Sequence, residues 1–360
     1  MFEYEQCCGC GACASVCQSG AITMGVGDDG FYQPKLDADR CIECGACGAV
    51  CPMRNESPKN EMQCAYLFIN SNQYERNLSS SGGFFKCAAD LILEAGGVVY
   101  GAAFADDFSI EHVRCENSEQ LYPLLGSKYV QSRTGDTFKQ VRNDLEQGKT
   151  ALFSGTSCQV AGLKSFLGRE YDRLYTVDLI CHGAPSPEAW KRYLKDYHGD
   201  EEIRYIDFRY KSDGWWDWGL RLQYAHKDYF AKARGGHDPY MSAFLQGVSL
   251  NEPCYDCKFR STQRVSDFFI GDAWNINRIR VHMDDNRGIT TVFINSEKGL
   301  KLFKQLEKQN ICFSISLEDA LKFREDLFSK KEMPPQRAAF IENLIKRGYR
   351  YAYEKSGIGR

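Results

Sequence analysis

Residues 7–18 read CCGCGACASVCQ, and residues 41–52 read CIECGACGAVCP. Each stretch places four cysteines in a C-x-x-C-x-x-C-x-x-x-C run. The first holds Cys7, Cys10, Cys13 and Cys17; the second holds Cys41, Cys44, Cys47 and Cys51, followed by Pro52. Three thiols spaced two residues apart wrap one metal cluster, and the small residues between them let the backbone come close. A zinc site and a disulfide scaffold are the alternatives. Zinc favours two separated pairs of ligands, so two runs of four in register favour iron–sulfur clusters.

This spacing is that of bacterial two-cluster ferredoxins, in which each run's fourth cysteine crosses to the other cluster. One 4Fe–4S cluster is then expected on Cys7, Cys10, Cys13 and Cys51, and a second on Cys41, Cys44, Cys47 and Cys17. Gln18 stands where the first run usually carries proline. Cys8 lies outside the pattern, as a neighbour that can compete with Cys7.

The 360 residues suffice for a sizeable core and two domains. A net charge of -3 gives no support to nucleic-acid binding by bulk electrostatics. No run reaches the length of a membrane span, and MFEYEQCCG lacks a signal-peptide pattern. Seventeen cysteines without such a signal point to metal and redox chemistry in a reducing cytoplasm. A cytoplasmic location is therefore expected.

After the ferredoxin-type region, expected over 1–60, a polar segment at 54–63 reads as a linker. Strands are expected at 64–70, 98–104, 109–115, 150–155, 174–181 and 268–274, with helices at 79–97, 134–149 and 186–197. Residues 203–225 read as a hairpin with an aromatic turn, and a pair of helices ends the chain. The fold class is α+β: a ferredoxin-like two-cluster domain followed by a larger mixed α/β domain at 61–360, part of it parallel.

Four more cysteines fall at expected element ends. Cys158 follows a strand and glycine turn, Cys181 ends a strand, and Cys254 and Cys257 form a C-x-x-C loop. Their spacing alone leaves an iron–sulfur site, a structural zinc and buried cysteines all open. Cys64, Cys87, Cys115 and Cys312 read as small buried hydrophobes.

The blocks FSGTSCQVAGLKSFL, VDLICHGAPSPEAWKRYL and PCYDCKFRSTQRVSDFFIGDAW resemble the beta subunit of coenzyme F-420 hydrogenase/dehydrogenase. SSSGGFF and GSKYVQS match that family's N-terminal part, and the resemblance runs from about residue 62 onward. It implies a third 4Fe–4S cluster on Cys158, Cys181, Cys254 and Cys257, beside FAD. It also implies electron transfer between clusters and flavin, and in some members onward to a deazaflavin.

No GxGxxG fingerprint follows a strand, so a standard dinucleotide-binding domain is not supported. Ser80, Ser81, Gly82 and Gly83 instead open a helix, whose N-terminus presents free N–H groups to phosphate or is simply serine-capped. Lys128 is a candidate cation beside a reduced flavin, or a surface lysine. Gly155 and Thr156 offer backbone donors near the cofactor, or serve the turn into Cys158. His182 is a candidate for proton transfer or a bond to a cluster sulfur. Asp272 orients a hydroxyl or caps a segment. Trp215, Trp216 and Trp218 form a core hairpin turn or a stacking lid. The basic run at 330–337 reads as solvated surface.

The expected function is an iron–sulfur flavoprotein oxidoreductase using two ferredoxin-type clusters, a third cluster and FAD. Its partner would be ferredoxin, a deazaflavin coenzyme or a partner oxidoreductase subunit, and an oligomer is possible. An electron-relay subunit and a redox-sensing binding protein, neither with its own substrate site, are the alternatives.

Overall fold

The computed structural model of the chain describes residues 6–199, 201–233, 235, 238–324 and 327–358. The two cysteine runs fold alike. Each passes through a left-handed glycine, Gly11 at φ 79° and Gly45 at φ 74°, into a short helix, Ala12–Val16 or Ala46–Ala49. Only glycine enters that backbone region freely. Between the runs lies an antiparallel hairpin of β1 (Ile22–Val26) and β2 (Tyr32–Leu36).

The body is built on strands β3 (Cys64–Ile69), β4 (Val98–Phe104), β5 (Ile110–Cys115), β6 (Ala151–Gly155) and β7 (Leu174–Leu179). A separate antiparallel sheet holds β8 (Ile203–Tyr210), β9 (Gly219–Tyr224) and β10 (Asp228–Lys232). Strands β11 (Phe268–Asp272), β12 (Thr290–Ile294) and β13 (Ile311–Ile315) complete the large sheet, whose order is β13-β3-β12-β11-β7-β6-β4-β5. Pairs β11·β7, β7·β6 and β6·β4 are parallel.

Both faces of this sheet are covered, which is why its central strands read as apolar runs, not alternations. Alternate residues part to opposite sides. Val99, Leu152, Phe268 and Val292 face one core with Phe84 and Phe303, from helices Phe84–Glu94 and Glu297–Leu306. Val98, Ala151 and Phe153 face the other side, against helices Thr137–Glu146 and Ser157–Leu167. Cys115 is fully buried, while Cys64, Cys87 and Cys312 pack at the margin of the first core.

A further aromatic core joins the β8–β10 sheet to helices Pro187–His198 and Pro239–Leu245 and to the final helix pair, with Trp190, Tyr193, Tyr240 and Tyr349 buried. Phe31, from the β1–β2 hairpin, enters this core as well.

The carboxyl ends of β6, β7 and β11 share one edge of the sheet, the edge where ligands gather in open α/β folds. Gly155, Asp178 and Asp272 fall there. Thr290 at the start of β12 lies opposite Asp272 on the same edge. Among the described residues, no helix is long and apolar enough to cross a membrane.

Candidate functional site

Cys7, Cys10, Cys13 and Cys51 line one cavity of about 260 Å³. Burial pushes the Cys7 thiol up to about 12, and Cys10 and Cys51 lie close by. Burial raises Cys13 also, and its neighbours are Cys10, Cys7 and Cys51. The fourth cysteine of the second run thus faces the first run. Such buried thiols stay protonated by themselves, and a bound cluster would displace the protons.

Around the second set, burial raises the Cys47 thiol, with Cys44 and Cys17 as neighbours. Cys17 is lowered chiefly by a hydrogen bond with Ser19, 3.5 Å away. Cys44 is exposed, and its neighbour Ile42 is 68% exposed. The first set lies against the body, and the second lies at the surface.

The body grips the first run by its backbone. Asn251 Nδ2 donates to the Cys7 carbonyl at 3.0 Å, Gln131 Nε2 to that of Cys8 at 3.3 Å, and Thr134 Oγ1 to that of Cys10 at 3.0 Å. Gly162, in helix Ser157–Leu167, allows the closest approach. A Cβ there would meet Cys10 Sγ at 2.9 Å and Cys10 Cβ at 3.0 Å. Gly162→Val is therefore expected to push Cys10 out of its site and cost about four irons. Iron analysis of the anaerobic protein checks this.

Cys158, Cys181, Cys254 and Cys257 converge, although three separate segments carry them. Cys181 lies near Cys158 and Cys257, and Cys254 lies near Cys181, Cys158 and Cys257. Burial raises Cys181 to about 12 and raises Cys254 and Cys257 too. Cys158 differs. It is lowered to about 7, first by a hydrogen bond with Cys8, then by Thr156 and by backbone N–H groups at the start of its helix, against the effect of burial. Thr156 Oγ1 lies 3.1 Å from Cys158 Sγ, and Thr156 and Gln159 form a capping box. The Ala184 N–H donates to Cys254 Sγ at 3.4 Å.

One arginine ties these segments together. Arg264 donates to Asp178 beside Cys181, to Ser157 beside Cys158, and to the Phe259 and Ser261 carbonyls beyond Cys257. Its guanidinium lies 3.7 Å from the Phe269 ring centroid. Both Arg264 and Asp178 are buried. Sequence reading missed this residue, because its partners are remote in the chain.

His182 turns its ring towards Lys331, with Nε2 and Nζ in contact. Burial, with the charges of Lys331 and Arg260 beside it, lowers the imidazole to about 4. Burial also lowers Lys331 to about 8. The expectation that 330–337 is solvated surface is corrected here: Lys331 reaches the third cysteine set, and Arg337 is buried with its Nε on the Leu250 carbonyl. The run's charge suggested solvent, but tertiary packing supplies partners for both side chains.

The serine–glycine turn meets the same sheet edge. The Gly82 N–H donates to Thr290 Oγ1 at 2.9 Å and Ser81 Oγ to the Ile289 carbonyl at 2.7 Å, so both donors are engaged within the protein. Gly83, at φ 88°, caps helix Phe84–Glu94. Ser80 Oγ lies 2.9 Å from Ser127 Oγ. The adjacent Lys128 is half-buried, with its ammonium on the Pro123 and Leu125 carbonyls. Burial lowers it to about 7, countered by Asp207. Arg209 joins this group, pairing with Asp272 and donating to the Ser80 carbonyl at 3.0 Å. Asp272 also accepts from Trp215 Nε1 at 2.7 Å. Trp215 and Trp218 are buried as core residues of the hairpin turn. A Cβ on Gly271 would meet Ile180, the residue before Cys181, at 2.3 Å. This close crossing sets the Asp272 group beside the third cysteine set.

Among the described residues, no group of three or more His, Cys, Asp or Glu is placed to hold a single metal ion. A 4Fe–4S cluster asks for something different, one thiolate on each of four irons. The first and third sets of four thiols fit that requirement in number and in convergence, and in the second set Cys44 and Cys17 lie near Cys47.

Fold and site together define an iron–sulfur electron-transfer protein with a ferredoxin-type head and a larger α/β body. Residues 6–55 match the 4Fe-4S dicluster domain. Residues 148–319 match the family model for the C terminus of the coenzyme F420 hydrogenase/dehydrogenase beta subunit. Among solved structures, the chain is similar to one in the xenon-derivatised F420-reducing NiFe hydrogenase complex from Methanosarcina barkeri. The TM-score is 0.49 and the identity 14%, over 82% of this chain and 91% of that one. A comparison with curated proteins finds no match.

Proposed function

We propose that the chain is an iron–sulfur flavoprotein oxidoreductase, with a two-cluster domain over 1–60 and an FAD and third-cluster domain over 61–360. The convergence of Cys158, Cys181, Cys254 and Cys257 beside the first ferredoxin-type set carries this reading. The second set, Cys41, Cys44, Cys47 and Cys17, exchanges electrons with a redox partner at the surface. The first set passes them inward to the third. A bound FAD would supply the exchange between single-electron and two-electron transfer, to or from a deazaflavin or another acceptor.

The Ser80–Ser81–Gly82–Gly83 turn, Gly155, Thr156 and Lys128 would hold the flavin. Lys128 would set its cation against the reduced ring. His182 would take up a proton near the third set at Nε2, the nitrogen that now accepts from Lys331. Asp272, held by Arg209 and Trp215, fixes the floor beside them.

Lys128→Met is expected to lower the potential of bound FAD at pH 6 without releasing it. The ammonium is present below about pH 7 and fades above it, so the gap between native and variant should narrow as pH rises. Spectroscopic redox titration at several pH values checks this. FAD-free protein after anaerobic reconstitution would overturn the flavin assignment.

A further inference from the structure

The large sheet ends in two edge strands, β5 and β13, and the fold treats them differently. At β5 the segment around Arg133 covers the edge. The His112 N–H donates to the Arg133 carbonyl and the Arg133 N–H to the Ile110 carbonyl, each at 2.8 Å. At β13, among the described residues, no strand pairs with the side turned away from β3. The edges of the small sheet are protected in other ways. Strand β8 is irregular between Ile203 and Tyr205 and between Asp207 and Tyr210. Strand β10 carries Asp228 and Lys232, both in ion pairs.

Strand β13 has none of these devices. Its residues read ICFSI, with no charge and no proline. They pair with β3 in unbroken register, from Ile311 opposite Ile69 to Ile315 opposite Ala65. Ile311 is 47% exposed and Phe313 is 43% exposed. A regular, uncharged edge with open N–H and C=O groups is a template for another strand.

The strand itself names its occupant. Outward from Phe313, its neighbours match in pairs: Cys312 with Ser314, and Ile311 with Ile315. Five places out on either side stand Lys308 and Glu318, both exposed. Two antiparallel copies centred on Phe313 set apolar against apolar on one face and small against small on the other. The same centre brings Lys308 of each copy towards Glu318 of the other. Such a pairing is isologous, so it closes at two copies.

We propose that β13 pairs with β13 of a second copy of this chain, joining two large sheets edge to edge. Sedimentation equilibrium of the anaerobically purified full chain, over about 1–100 µM, tests this. The native chain is expected to be dimeric at the top of that range. Phe313→Lys sets a charge on the edge, and symmetry applies it twice, so association should weaken about a hundredfold or more. Iron content and circular dichroism should stay native. Lys308→Glu and Glu318→Lys should each weaken the dimer about tenfold, and the two together in one chain should restore it. A native chain that is monomeric at about 100 µM overturns the proposal. A dimer that Phe313→Lys leaves intact, or that the double swap fails to restore, also overturns it. If Phe313→Lys loses iron, the charge swaps decide alone, since neither of those residues is buried.

Discussion

The anaerobically purified chain should carry about twelve irons, and Cys254→Ser should reduce this to about eight. The reasoning is stoichiometric. Each cluster takes four thiolates, and the fold gathers three sets of four. Cys254 has the other three members of its set close by. The change should leave the head intact, because both ferredoxin-type sets are complete without the body's cysteines. EPR of the reduced variant should therefore keep two signals. Eight irons in the native chain, unchanged by Cys254→Ser, would show that the third set is merely four buried thiols.

Arg264→Met should give the largest loss of stability. Arg264 and Asp178 form a pair in which both side chains are nearly inaccessible to water. Removing one partner of such a pair leaves the other's charge buried, at a cost of about 3–5 kcal/mol. The loss reaches further than the pair. Arg264 also donates to Ser157 and to the Phe259 and Ser261 carbonyls, so three cysteine-bearing segments lose their common tie. A lowered melting temperature and an iron content of about eight are expected together. Arg264→Lys keeps the charge but not the planar fork, and should fall between the two. A native melting temperature with full iron content would show that the cysteine set holds itself in place.

The two cysteine runs were legible because their geometry is local. Spacing alone brings three thiols of each run together, and the repeat is visible without any knowledge of the fold. The central strands were legible for a related reason. Runs such as LYTVDLIC and TALFSG are apolar on both faces, as a covered parallel sheet demands. Strand β13 was less visible. Three of its five residues are exposed, since it lies at the sheet edge beyond β3. Strand β10 has no buried residue and gave no periodic signal either.

Residues recruited from far along the chain were not legible. Lys331 lies in a basic run that looks like solvent-facing sequence, yet it contacts His182, 149 residues away. Arg209 sits in a strand and pairs with Asp272 across 63 residues. Gln131 and Asn251 have no motif, because what they bind is a backbone carbonyl, which any residue supplies.

The sequence by itself determined the ligand chemistry of the head and the alternation of strands and helices in the body, since both follow from short-range spacing and hydrophobic period. Only the tertiary structure decided that Cys158, Cys181, Cys254 and Cys257 converge on one place. Those thiols meet because strand ends at one sheet edge are brought together by pairing between distant segments, and spacing along the chain carries no record of that pairing.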